Sequence, residues 1–165
     1  MIAVGDEVKD ALTAGNAVVA LESTIFSTLG LPAPANEEAL QRCLSVIRRA
    51  GAVPALTAVL DGVICAGIPE EAHERVLGSS VKVAARDLAT VGFRNLPEGA
   101  TTVSASVVIA DAVGIEVFAT GGIGGVHREA EITGDISSDL DAIARHQVLV
   151  VSAGAKAFLD LPRTL

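Results

Sequence analysis

Four side chains have types and positions suited to chemistry: Glu22, Lys82, Asp135 and Lys156. Glu22 follows the apolar run of residues 17–21. A carboxylate closing a buried strand is costly unless it is paired, solvated or functional. The same glutamate reads equally well locally as a cap on a following helix. Lys82 and Lys156 each end a β-like run, in a chain with nine arginines and three lysines. Lysine can lose its proton when desolvated and act as an amine nucleophile, which arginine cannot. For Lys82 the plain alternative is an edge-strand lysine that discourages unwanted pairing. Asp135 lies in an oxygen-rich loop of the kind that holds a hard divalent ion such as Mg²⁺ or Mn²⁺. An amine behind a buried strand, close to a second lysine, has its charged form disfavoured. It is then available to attack a sugar aldehyde and form an imine, while a nearby glutamate moves protons in both directions.

The elements that must position these groups centre on residues 117–156. The strand-like EVFAT runs into Gly121, Gly122, Ile123, Gly124 and Gly125. The next stretch gathers His127, Arg128, Glu129, Glu131, Asp135, Ser137, Ser138 and Asp139. A second buried-type run, residues 148–151, then feeds SAGAK and Lys156. In open α/β sheets, ligands bind outside the carboxyl ends of the strands, which places the expected site here. GGIGG is not the dinucleotide fingerprint, and the chain has no P-loop, zinc spacing or G-x-S-x-G.

Upstream, residues 6–14 suit a helix and residues 17–21 a strand. Residues 37–50 form an amphipathic helix pattern with Asn36 placed to cap it and Gly51 closing it. Residues 53–60 and 63–66 flank Asp61-Gly62, a strong hairpin signal that makes the sheet mixed. A short acidic helix spans residues 69–76, with His73 expected to be exposed. Residues 80–84 are a short strand, followed by one helical turn at 87–91. Thr101, Thr102, Ser104 and Ser106 crowd the start of a helix at 103–113, where free N–H groups suit phosphate. Simple capping by one threonine explains the same pattern. Residues 115–120 form a strand and 136–145 a helix, ended by His146 in a dipole-compatible position.

The 165 residues suit one α/β domain spanning 1–165 around a mixed sheet. No apolar stretch is long enough for a membrane span and no secretory signal is visible. Cys43 and Cys65 read as reduced core residues of a cytoplasmic protein. A net charge of −8 argues against nucleic acid as a partner and leaves room for a small anionic ligand.

The segments ALESTIFS, VKVAARDL, GATTVSAS, FATGGIGGVHR, DISSDL and VVSAGAKAFLD stand in the order and spacing of the pseudouridine-5′-phosphate glycosidase family. That family is also described as indigoidine synthase A-like, and the chain resembles it over nearly its whole length. The resemblance implies a lyase or glycosidase of the pseudouridylate synthase type, in the carbon–oxygen lyase class. It would reversibly cleave the C–C glycosidic bond of pseudouridine 5′-phosphate to uracil and ribose 5-phosphate. It also implies one Mn²⁺ per subunit, a homotrimer and a cytoplasmic role in nucleotide catabolism. By position, Lys156 matches the nucleophile that forms a Schiff base with ring-opened ribose, and Glu22 the proton donor. Lys82, Thr102 or Val103, and the run Ser137, Ser138 and Asp139 match substrate contacts, and Asp135 the metal ligand. Two departures stand out. The family's S-H-G-M-P-x-P is replaced by residues 27–34, STLGLPAP, without the histidine. The resemblance implies a three-layer α/β/α fold, and family members are roughly twice as long, so an incomplete version of that fold is expected. A catalytically silent sugar-phosphate-binding or assembly module, or an imine-forming lyase of another phosphosugar, is the competing reading.

Overall fold

A computed structural model describes residues 2–165 and shows how short apolar runs become the middle layer of a sandwich. The chain runs β1 (Ile2–Val4), α1 (Asp6–Thr13), β2 (Val18–Leu21), α2 (Ala35–Arg49), β3 (Val53–Leu60) and β4 (Val63–Ala66). Then come α3 (His73–Leu77), β5 (Lys82–Val83), α4 (Val91–Arg94), β6 (Glu98–Thr101), α5 (Val103–Val113) and β7 (Val117–Thr120). It closes with α6 (Ala130–Thr133), α7 (Ser138–Arg145), β8 (Leu149–Ser152) and α8 (Leu161–Thr164). The main strand order is β1-β4-β3-β2-β7-β8. β2, β3, β7 and β8 run parallel, while β4 and β6 pair antiparallel with β3. The sheet is therefore mixed, and the hairpin is where Asp61-Gly62 predicts it. Both turn residues take positive φ, 51° and 74°, as a two-residue type I′ connection requires.

Successive strand residues face opposite ways, and both faces are covered over the middle of the sheet. Ala20 and Phe118 join α1, α5 and α7 in one core cluster. Their neighbours Leu21 and Ala119 belong to the other, under α2 and the residues around α3. The three-layer α/β/α architecture follows. Helix α5 is nearly all small or β-branched residues, and seven of its positions are buried. Burying a side chain the size of Phe118, which is fully enclosed, contributes roughly 1.5–3 kcal/mol.

The structure departs from the sequence reading in four places. Strands β1 and β6 were not foreseen, because Glu98–Thr101 has no run of large β-formers and β1 is three residues long. Asn36 does not cap α2, which starts one residue earlier, and its side chain donates to the Phe26 carbonyl at 3.1 Å. His73 is half-buried rather than exposed; burial pushes its pKa down, and its buried Nδ1 has no partner. Finally, β8 is an edge strand and not a buried one: Leu149 and Val151 are 65% and 53% exposed. Val150 packs toward the first core cluster, so only the opposite face of β8 lacks a covering layer.

Candidate active site

Glu22 is the residue just beyond β2, and Thr120 the last residue of β7. The two strands pair in parallel with Leu21 opposite Ala119, so the next residues on each meet. Thr120 Oγ1 donates a hydrogen bond to Glu22 Oε1. The carboxyl is 7% exposed, and burial raises its pKa to about 7. The Thr120 hydrogen bond is the largest opposing influence; Lys156 and Lys82 also lower it, and Asp139 raises it. Glu22, Lys82, Lys156 and Asp139 therefore converge at the carboxyl ends of β2, β7 and β8, where an open α/β sheet binds its ligands. The helix-capping alternative for Glu22 fails: no side-chain cap is made on the 3₁₀ turn Thr24–Phe26.

The backbone that carries Glu22 is fixed by four fully buried hydroxyls. Thr57 Oγ1 donates to the Leu21 carbonyl at 3.0 Å, and Thr101 Oγ1 to the Thr57 carbonyl at 2.8 Å. Ser23 Oγ accepts from the Thr101 N–H at 2.9 Å, and Ser106 Oγ donates to the Thr102 carbonyl at 2.8 Å. This network joins the ends of β2 and β6 and the middle of β3 to the start of α5. Thr101, Ser104 and Ser106 are thus enclosed and occupied within the fold.

The glycine run does not make a turn of positive φ; among Gly121, Gly122, Gly124 and Gly125 none has one. Its glycines permit close approach instead. A Cβ on Gly124 would lie 2.7 Å from Ser137 Cβ and 2.9 Å from Asp139 Oδ2. Asp139 is 5% exposed, and its oxygens accept from the N–H groups of Ser104 at 2.9 Å and Gly124 at 2.8 Å. Its carboxylate joins the glycine loop to the start of α5. Ser137 Oγ caps α7 through the Asp139 N–H at 3.2 Å, and Ser138 Oγ lies 2.9 Å from Ser104 Oγ. Thr102 caps α5, accepting from Ala105 N–H at 3.5 Å. Val103 has its side chain in the core, so only its backbone is available to a ligand.

Lys156 follows Gly154-Ala155, which runs beside the glycine loop. Ile123 N–H donates to Gly154 O at 3.0 Å, and Lys156 N–H to Ile123 O at 3.1 Å. The Lys156 side chain is exposed, as is Lys82 on β5. The burial foreseen for Lys156 is absent because β8 forms an edge. Asp135 is on the exposed side of the loop, its side chain 62% exposed and 3.6 Å from His127 Nδ1. It is not among the charges acting on Glu22. Among the described residues no group of three His, Cys, Asp or Glu is placed to hold a metal. A lone exposed carboxylate suits a mostly hydrated divalent ion and not a closed protein cage. A concavity of about 930 Å³ lies between α1, α2 and the turn after β4, and none of these candidates lines it. The site is an open shelf. Thr120 was not singled out in the sequence; its only signal is a hydroxyl closing a strand before a glycine run.

Comparison with known proteins gives the family. Residues 7–165 match the family model for indigoidine synthase A like protein. The pseudouridine-5′-phosphate glycosidase of Arabidopsis thaliana is 51% identical, covering 100% of this chain and 50% of that protein. That of Myxococcus xanthus is also 51% identical, over 97% and 53%. Among solved structures, the prealnumycin C-glycosynthase in complex with ribulose 5-phosphate superposes with a TM-score of 0.88 at 38% identity. The match covers 99% of this chain and 53% of that one. An indigoidine synthase A-like protein of Thermotoga maritima gives 0.86 at 33% identity, with the same coverage. The chain spans about half the length of the curated relatives it matches. With this fold, these residues and these relatives, the chain belongs to the indigoidine synthase A-like family.

Proposed function

We propose that this chain supplies the acid–base and amine chemistry of a pseudouridine-5′-phosphate glycosidase. The observation that carries the proposal is the placement of Glu22, enclosed at the end of β2 and bonded to Thr120, where burial in the field of Lys156 and Lys82 pushes its pKa up to about 7. A group with that pKa is present in both forms near neutrality and can give or take a proton. In the cleavage direction, the free amine of Lys156 bonds to ribose C1 as the C1–O4 ring bond breaks, and the proton that the nitrogen sheds goes to the released ring oxygen. Its lone pair then forms the C=N bond as the C–C bond to uracil breaks, and Glu22 provides the proton that the uracil carbon takes. Water hydrolyses the imine, releasing ribose 5-phosphate and the free amine. Reversal joins uracil to the sugar. A C-glycoside has no readily protonated leaving heteroatom, so the nitrogen lone pair supplies an electron push for C–C cleavage that direct hydrolysis lacks.

Within the same proposal Lys82, with Thr102, the Val103 backbone, Ser137 and Ser138, would face the sugar phosphate. Asp135 would hold one hydrated Mn²⁺, which when bound supplies positive charge near the substrate oxygens. Homotrimeric assembly and a cytoplasmic location complete the reading. No helix among the described residues is long and apolar enough to cross a membrane. The test is turnover: uracil and ribose 5-phosphate with Mn²⁺, followed by pseudouridine 5′-phosphate formation, for this chain and with the remaining half of a relative added. Formation in either setting, lost in Glu22→Gln and Lys156→Ala, supports the proposal. No product in either sinks it.

One observation favours a second reading. Leu149, Val151 and Phe158 are 65%, 53% and 60% exposed beside Lys156. An apolar surface of that kind suits an assembly module that binds sugar phosphate without turning it over. Ribose 5-phosphate binding by thermal shift without product in either setting would favour it. Cleavage of another phosphosugar, with no uracil chemistry, would favour an imine-forming lyase.

A further inference from the structure

The geometry points to Thr120 as a positioning residue that gives the two oxygens of Glu22 different roles: Oε1 is held, and Oε2 carries the proton that moves. This rests on the reading of Glu22 as the proton carrier. Thr120 Oγ1 is within hydrogen-bond reach of Glu22 Oε1 and is 3.3 Å from the Gly122 nitrogen. A hydroxyl has one hydrogen to give. The Gly122 N–H donates to the hydroxyl oxygen, so the hydroxyl hydrogen is left for Glu22. The hydroxyl's second lone pair could accept a proton from Oε1, but its own hydrogen would then have no acceptor among the described residues, so Oε1 accepts in both states and a proton on the carboxyl resides on Oε2.

The same loop couples this arrangement to the amine. Gly122 orients the hydroxyl, and the next residue, Ile123, accepts the Lys156 N–H at 3.1 Å. A shift of the loop would turn the hydroxyl and move the lysine together. The other charges that face Glu22 are Lys156 and Lys82, which favour its charged form, and Asp139, which disfavours it. None of them distinguishes one oxygen from the other by a direct hydrogen bond; Thr120 does. Burial makes that bond matter, because a hydrogen bond to a charged group strengthens where water is excluded.

The experiment is a carbon-13 NMR titration of the Glu22 carboxyl, assigned by its loss in Glu22→Gln. It compares the whole chain with Thr120→Val and Thr120→Ser. Removing the hydroxyl should raise the Glu22 midpoint by about one to two pH units. Thr120→Ser, which retains a donor, should return most of that shift. In a preparation with turnover, Thr120→Val should move the Glu22 limb of the pH profile by the same amount, lowering kcat with little change in KM. Should Thr120→Val fail to fold, Thr120→Ala carries the same test. An unchanged midpoint in the folded Val or Ala variant overturns the inference, whatever the activity. A shifted midpoint without turnover leaves Thr120 in place and counts instead against the glycosidase reading.

Discussion

The centre of the sheet and its β8 edge treat their chemical groups in opposite ways. At the centre, Glu22 is 7% exposed, bonded to Thr120 and carried on backbone that four enclosed hydroxyls hold in register. At the edge, Lys156 and Asp135 project from exposed loops, and apolar Leu149 and Val151 have no layer above them. Burial tunes a carboxyl because it penalises charge, and the tuning persists only where packing keeps water out. An exposed lysine receives its reach and position from its strand, but not its dry surroundings. In the proposed reading, the difference sets an enclosed acid–base group apart from an exposed amine, in a chain that spans about half the length of its relatives.

Core substitutions should break this contrast most strongly. Phe118→Ala, under β7 at a fully enclosed position, should cost about 3–5 kcal/mol by denaturant unfolding. Leu149→Ala at the edge removes a side chain that is 65% exposed and should cost well under about 1 kcal/mol.

Glu22→Gln has the opposite sign. Burial pushes the folded carboxyl from its ordinary value of 4.5 up to about 7, so the folded state holds the extra proton. Stability is then greatest at low pH and falls as pH rises through the window from 4.5 to about 7. The glutamine variant escapes that penalty. It should be more stable than the parent at pH 8 by up to about 3 kcal/mol, and closely matched near pH 4. Activity should be lost over the same range. Equal stability at pH 8 would show that Glu22 is not strained by burial.

Asp139→Asn should cost about 1–3 kcal/mol, because one of the two backbone N–H groups it receives would face an amide NH₂. Substrate KM should change through the displaced glycine loop. Smallest of all, Asp135→Asn should leave the melting temperature within about a degree, since its side chain is 62% exposed. Its effect should appear only as a weaker response of turnover to Mn²⁺.

Much of the central half was legible in the sequence. The apolar run before Glu22, the Asp61-Gly62 hairpin and the helix at Val103–Val113 all follow from period, turn chemistry and capping. Strand β6 was not legible, because Glu-Gly-Ala-Thr carries a buried network in place of large side chains. Nor was the bare face of β8: an apolar run of four residues reads the same whether or not a helix lies above it. Asp139 was identified among substrate contacts by resemblance. Only the three-dimensional arrangement shows its oxygens on the backbone of Ser104 and Gly124. Thr120 was silent for a similar reason, since its meaning comes from the register of β2 against β7.

Reductive trapping tests the central claim most directly. The purified chain is incubated with ribose 5-phosphate, Mn²⁺ and cyanoborohydride, then read by intact mass and peptide mapping. The account predicts one pentose-phosphate adduct on Lys156, absent in Lys156→Ala and slowed in Glu22→Gln. A folded chain that gives no adduct, or one spread over Lys9, Lys82 and Lys156 alike, would contradict the claim that this half already assembles the amine chemistry.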